Sequence, residues 1–191
     1  MKRLVFVLCV ALIAAGCGSK STIDIKLDGQ QIPFVTKSAW ITSQDAIYGS
    51  SVPGEQKHSL RWITLRNYEH EVKGALQANE GKLTAPEQVK LFLSFHDEAG
   101  TNKDTPIKVA TFNGAKSGPM QFEFINLTIF KDGKEQSYRV SLSGQANRQD
   151  SEVKILSVTN DTVTGEVNAN VKADNKVLTI KGPFTAKIFK P

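Results

Sequence analysis

The stretch Thr162–Ile188, TVTGEVNANVKADNKVLTIKGPFTAKI, decides the fold. Val163, Val167, Ala169 and Val171 fall at even spacing. After a turn at Ala173-Asp174-Asn175, so do Leu178, Ile180, Phe184, Ala186 and Ile188. Successive side chains on a β-strand point to opposite faces, so residues two apart share one face. The stretch therefore reads as two long strands joined by a turn, each with one apolar face.

The same period continues upstream. Gln121–Phe130 and Gln136–Ser143 flank Lys131-Asp132-Gly133-Lys134, a hairpin signal. Tyr138, Val140 and Leu142 share a face. In the first arm Phe122 and Phe124 lie on one side, and Ile125, Leu127 and Ile129 on the other. Either a bulge near Asn126 switches the face or both sides are buried. Ile23–Leu27 alternates, Asp28-Gly29 supplies a tight turn with glycine at positive φ, and Ile32–Val35 follows. Further strands are expected near Ser38–Tyr48, Leu60–Arg66, Val89–Phe95, Ile107–Phe112 and Val153–Val158. Thr84-Ala85-Pro86-Glu87 carries a helix-start signal, but the alternation after it limits helix to one turn over 84–88. Gly49–Lys57 and Gly114–Pro119 read as loops. Asn67–Gly81 is polar, without a clear period. About nine or ten short strands separated by Gly, Asn, Asp and Pro predict an all-β fold, an antiparallel β-sandwich or open barrel, in one domain over 23–191.

The N-terminus has a different character. Lys2 and Arg3 precede an uncharged run from Leu4 to Ala15, followed by small residues, the three-part pattern of a secretory signal. The run is too short for a membrane-spanning helix, which needs about 20 apolar residues. Ala14-Ala15-Gly16-Cys17 resembles the lipobox of bacterial lipoproteins, with Ala14 where leucine is commonest. The resemblance implies cleavage between Gly16 and Cys17, lipidation of the Cys17 sulfur, a signal peptide over 1–16 and a short tether over 17–22. It also implies a place in the bacterial cell envelope. Gly18-Ser19 lacks the aspartate linked to inner-membrane retention in enteric bacteria, so the outer membrane is favoured. Two or three acyl chains on one residue anchor durably where one holds marginally. Thr162–Ile188 also loosely resembles the closing strands of small bacterial lipoproteins of unknown function, which implies fold class and no activity.

Cleavage leaves 175 residues, Cys17–Pro191. Cys9 leaves with the signal, so the remaining cysteine has no partner within the chain and the core alone must hold the fold. Net charge falls from +5 to +3, with 22 basic and 19 acidic residues interspersed. A nucleic-acid binder clusters its basic residues, and no such cluster is present.

Reactive motifs are sparse. There is no Gly-x-Ser-x-Gly elbow, phosphate-binding loop, EF-hand loop or dinucleotide fingerprint. His58, His70 and His96 lie among polar residues at loops or strand ends, where solvated surface histidine is the expectation. Tyr68-Glu69-His70-Glu71 and His96-Asp97-Glu98 are the two histidine–carboxylate groupings. On a strand His70 and Glu71 would point to opposite faces, so no metal site and no cofactor is expected. Trp40 and Trp62 fall in strand-like segments. Core packing accounts for them, and a stacked aromatic contact face for a sugar or a partner's side chain is the functional alternative. The sequence thus points to a non-enzymatic, membrane-anchored envelope lipoprotein acting as a binding or structural module, with a protein partner. Two alternatives stay open: a calycin-like carrier of a lipid or apolar ligand, and an enzyme acting on envelope polysaccharide or peptide.

Overall fold

The computed structural model describes residues 21–48, 56–143, 150–173 and 175–190. Gly16, Cys17 and the rest of the leader lie outside the described residues, as does most of the loop expected at 49–57. The strands are β1 (Asp24–Leu27), β2 (Gln30–Ile32), β3 (Ser38–Tyr48), β4 (Gln56–Arg66), β5 (Val89–Ala99) and β6 (Ala110–Asn113). They continue with β7 (Phe122–Lys131), β8 (Lys134–Ser141), β9 (Glu152–Val158), β10 (Thr162–Ala173) and β11 (Lys176–Ile188). One short helix, α1 (Ala75–Asn79), lies in the segment that showed no period. The fold is all-β as expected, with eleven strands among the described residues where the sequence pattern predicts about nine or ten.

The strands form one sheet in the order β6-β9-β10-β11-β3-β4-β5-β7-β8, with β1 on β11 and β2 on β1. It is not closed into a barrel, since β6 and β8 are its ends. Neighbours along this order run antiparallel except β11 and β3, which pair parallel through Lys187↔Trp40 and Ile188↔Ile41. That two-residue seam divides the sheet into two layers that pack face to face. Phe95 of β5 meets Phe112 of β6 with ring centroids 4.2 Å apart. Lys176 of β11 sits 5.3 Å over the Tyr138 ring of β8. Between the layers lies one apolar cluster. It contains the residues the even spacing selects: Val163, Val167, Ala169 and Val171 from β10, and Leu178, Ile180, Phe184 and Ala186 from β11.

Turn chemistry fixes the registers. Asp28 and Gly29 take φ of 51° and 77°, and Asp132 and Gly133 take 54° and 75°. Left-handed backbone at both central positions matches the twist of the flanking strands. The pairs Leu27↔Gln30 and Lys131↔Lys134 follow from these turns. The face switch in β7 falls at Glu123, not near Asn126. Ser94 pairs with Phe124 and Phe95 with Phe122, so Glu123 is the extra residue of a bulge. The bulge returns Phe122 to the side of Ile125 and Leu127, all three fully buried.

β11 serves two neighbours along one edge. Its first half pairs with β1 as far as Asp24↔Lys181, and its last residues pair with β3. The handover occurs at Gly182, whose φ is 146°. A Cβ there would lie 2.9 Å from the Thr22 carbonyl oxygen. Pro183 follows and has no N–H to offer a ladder, which suits it to the point where one partner ends and the next begins.

Candidate functional site

The inner face of β3, β4 and β5 is apolar along most of its length, through Ile41, Ile63, Leu65, Leu91 and Leu93. It turns polar at one end, where Ser43, Arg61 and Asp97 occupy inward positions. Arg61 is buried, its side chain 2% exposed against 11% for Asp97. Its Nε and Nη2 donate to Asp97 Oδ2 at 3.1 and 2.9 Å, Nη2 also donates to the Thr105 carbonyl at 2.6 Å, and Nη1 donates to Ser43 Oγ. Asp97 Oδ1 accepts from the Glu98 backbone N–H at 3.0 Å. Asp97 keeps the inward parity of Leu91, Leu93 and Phe95, and the register shifts just beyond, between the pairs Leu60↔His96 and His58↔Ala99. The loop after β5 supplies the Thr105 carbonyl, so an arginine on a strand interior is satisfied by three separate segments.

This polar end is the floor of a cleft of about 600 Å³, open to solvent between the two layers. Ile107, Val158, Ile188 and Phe189 form its apolar walls, and Lys103 and Lys190 stand at its rim. The rim charges are locally balanced: Lys190 lies 2.9 Å from Asp161, and Lys103 lies 3.4 Å from Asp104. A volume of this size falls in the range of small-ligand sites, and apolar walls with a few fixed polar groups are their usual lining. The arrangement suits an apolar body with one polar end, hydrogen-bonded to a pre-oriented floor.

The histidines correct the sequence expectation. His58 and His96 are not solvated: they are 1% and 7% exposed. Both lie on the outer face of the same strands. His58 Nδ1 is 3.0 Å from the Gln56 carbonyl, and its Nε2 is 2.6 Å from His96 Nδ1. His96 Nε2 is 3.2 Å from Glu123 Oε2. Ser94 Oγ donates to the same oxygen at 3.3 Å. The hydrogen bond from His96 is the main reason the Glu123 carboxyl sits below its ordinary range, against an opposing push from burial. Ser94 thus faces the carboxylate and not an imidazole, the partner that would activate its hydroxyl. His96 meets His58 and Glu123 through different ring nitrogens, so the three cannot share one ion. Among the described residues no group of three or more His, Cys, Asp or Glu is arranged to hold a metal. His70 is partly exposed, with Nε2 3.0 Å from the Gln77 carbonyl.

Both tryptophans leave the core and stand partly exposed on the outer face. Trp62 begins a row across three strands, 6.0 Å from Phe92, which is 6.2 Å from Phe124. Trp40 lies at the seam, 6.4 Å from Phe189 and 5.6 Å beneath Lys187 Nζ. The two indoles do not form one platform, because α1 comes down beside them. Asn79 bonds the Thr64 and Thr42 hydroxyls at 2.8 and 3.1 Å. Buried Arg66 donates to the Ala78 and Glu80 carbonyls at 2.7 and 2.8 Å, and its burial lowers its pKa. Sequence reasoning missed Arg61 and weighed Asp97 only as part of the His96-Asp97-Glu98 grouping. A lone arginine in the run His58–Leu65, at the parity of Ile63 and Leu65, was the available signal. The chain matches no protein-family model, no curated protein and no solved structure.

Proposed function

We propose that this protein is a lipid-anchored lipoprotein of the bacterial cell envelope that acts as a non-catalytic binding module through the cleft above Arg61. The supporting observation is the cleft itself: apolar walls, a buried guanidinium at the floor held by Asp97, Ser43 and the Thr105 carbonyl through four of its five N–H groups, and balanced charge at the rim. Such a site offers shape and hydrogen bonds, with no group poised to attack. A protein partner inserting an apolar side chain would fill the walls and meet Arg61 and Ser43 with a backbone carbonyl or a polar tip. The anchor rests on the resemblance of Ala14–Cys17 to a lipobox. The outer membrane is the favoured location.

A second reading has its own observation. About 600 Å³ exceeds what one side chain needs, and it suits a small apolar ligand with a polar end. The buried apolar cluster occupies the space between the layers, so the carrier version of this fold would hold its cargo at the mouth. One experiment separates the two. A photo-crosslinking amino acid replaces Ile107 in living cells, with Leu156 on the outer face of β9 as control. Position 107 is expected to yield a discrete polypeptide adduct that position 156 does not. A small adduct mass at 107 supports the carrier. Equal labelling at both positions refutes the cleft as the site. Replacing Cys17 by Ser tests the anchor separately, since unchanged membrane fractionation and unchanged mass would refute it.

A further inference from the structure

The described chain begins at Ser21, and Ser21 lines a hollow of about 350 Å³ on the outer side of the β11–β3 seam. Thr36 and Ser38 precede or open β3, Thr185 and Lys187 come from β11, and Lys37 and Trp40 also line it. The N-terminal segment is fixed at this spot, since Thr36 N–H donates to the Ser21 carbonyl at 3.1 Å and Thr22 bridges Val35. Cys17 is four residues earlier, a reach of about 14 Å at full extension. Whatever holds Cys17 at a bilayer therefore holds this hollow there too.

The lining has the chemistry that such a surface needs. Lys37 and Lys187 are exposed cations, and Glu69 is the one carboxylate in the hollow. Trp40 lies beside Lys187, and Val35, two residues before Lys37, is 42% exposed. Tryptophan with flanking lysine is the usual pairing at the level of lipid headgroups, where the ring sits at the interface and the ammonium stays hydrated. Thr36 supplies an independent observation. Its residue is 9% exposed, and its Oγ1 is buried with no hydrogen-bond partner. A buried hydroxyl without a partner is costly, and an acceptor seated in the hollow that Thr36 lines would complete it once the side chain turns toward the opening.

We infer that this face lies against the membrane and that the hollow seats the phosphate of an anionic lipid headgroup. The phosphate oxygens accept from the Thr36 and Thr185 hydroxyls, with Lys37 and Lys187 neutralising the charge and Trp40 lying at headgroup depth. The inference rests on the anchor proposed at Cys17 for its setting, and on the lining alone for its chemistry.

The chain has two tryptophans, so W62F leaves Trp40 as sole reporter and W40F leaves Trp62. Each full-length variant, isolated from membranes, is placed on vesicles of phosphatidylcholine with one quarter phosphatidylglycerol and a lipid spin-labelled near its headgroup. Trp40 emission is expected to shift to the blue and be quenched, while Trp62 stays unchanged. The same chains carrying C17S, and therefore no acyl group, are titrated with vesicles. Each of K37Q and K187Q should lower partition about fivefold on the anionic vesicles and have no effect on phosphatidylcholine alone. T36V should weaken anionic binding without altering the urea midpoint. Millimolar inorganic phosphate should not displace the chain from the vesicles. An unquenched Trp40, equal quenching of Trp62, or lysine variants that partition like the parent would overturn the inference. So would displacement by free phosphate, which would make the hollow a site for the soluble anion. An unacylated mass for the native chain would sink the anchor alone, and C17S partition still decides the surface.

Discussion

Removing the Asp97 carboxylate should unfold the protein more readily than any other single deletion at the cleft. Arg61 lies 2% exposed, and two of its hydrogen bonds, at 3.1 and 2.9 Å, end on one oxygen of Asp97. In Asp97→Ala the guanidinium keeps the Thr105 carbonyl and Ser43 Oγ, both neutral, and loses its counter-charge. Breaking a buried pair by removing one partner costs about 3–5 kcal/mol. Asp97 is 11% exposed and borders an open cleft, so water reaches the orphaned cation and the lower end, about 3 kcal/mol, is expected. Against a total stability of about 5–15 kcal/mol that is a large fraction. The urea midpoint measures it, with an unchanged slope showing that the same surface is exposed on unfolding. Replacing both partners, Arg61→Met with Asp97→Leu, removes both desolvation costs and should restore most of the loss. Should Asp97→Ala cost under about 1 kcal/mol, or the double variant be no better than the single, Arg61 does not depend on this carboxylate and the rigid-floor account of the cleft fails.

Two further outcomes follow from local geometry. Gly165→Ala places a Cβ 2.2 Å from the Lys154 carbonyl oxygen and 2.5 Å from Phe184 Cζ. Since the closer atom is backbone of β9, the cost should reach the upper part of the roughly 1–3 kcal/mol range for overpacking, and trimming Phe184 to Leu should recover only part of it in urea. Glu123 has its folded pKa held below the unfolded 4.5, first by the hydrogen bond from His96. Its contribution is therefore fully present above pH 4.5 and is lost as pH falls through the lower folded value. Melting curves of the parent and Glu123→Gln should differ at neutral pH and converge in acid; a gap that persists unchanged to low pH would contradict this.

The core was legible because period two reports which side chains share a face. Val163 to Val171 and Leu178 to Ala186 are buried as their spacing predicts, and both Asp-Gly turns take the φ values their hairpins require. Alternation does not report what lies above a face. His58, His96 and Glu123 occupy outward positions that the period assigns to solvent, yet both rings are buried. Arg66 is likewise outward and fully buried, because residues 78–81 close over it. That segment showed no period since little of its order comes from its own pattern: it is held by bonds from β3 and β4. Of two slips of register, one was anticipated near Asn126 and falls three residues earlier, and the other was not anticipated. Both sit at bulges, at Glu123 and near Asp97, and a bulge changes the parity on which the reading depends. Pairing order was invisible for another reason. The parallel step from β11 to β3 joins opposite ends of the described chain, and no turn residue marks it.

That step is where the two proposed surfaces meet. β3 and β11 each present one side to the hollow and the other to the cleft. Trp40 and Lys187 are outward at the seam, while Ser43 and Ile188 line the cleft. Phe189 lines the cleft and touches the Trp40 ring at 6.4 Å. Ser43 in the cleft lies five residue steps along β3 from Ser38 in the hollow, about 17 Å of extended strand. With the seam at the headgroups, the cleft opens a strand's length farther from the bilayer, clear of the lipid and within reach of a partner beside the membrane. A short tether is then no handicap. In the proposed orientation the seam would supply the membrane contact, and a longer linker would only let the cleft wander from the orientation that the lysines and Trp40 would impose.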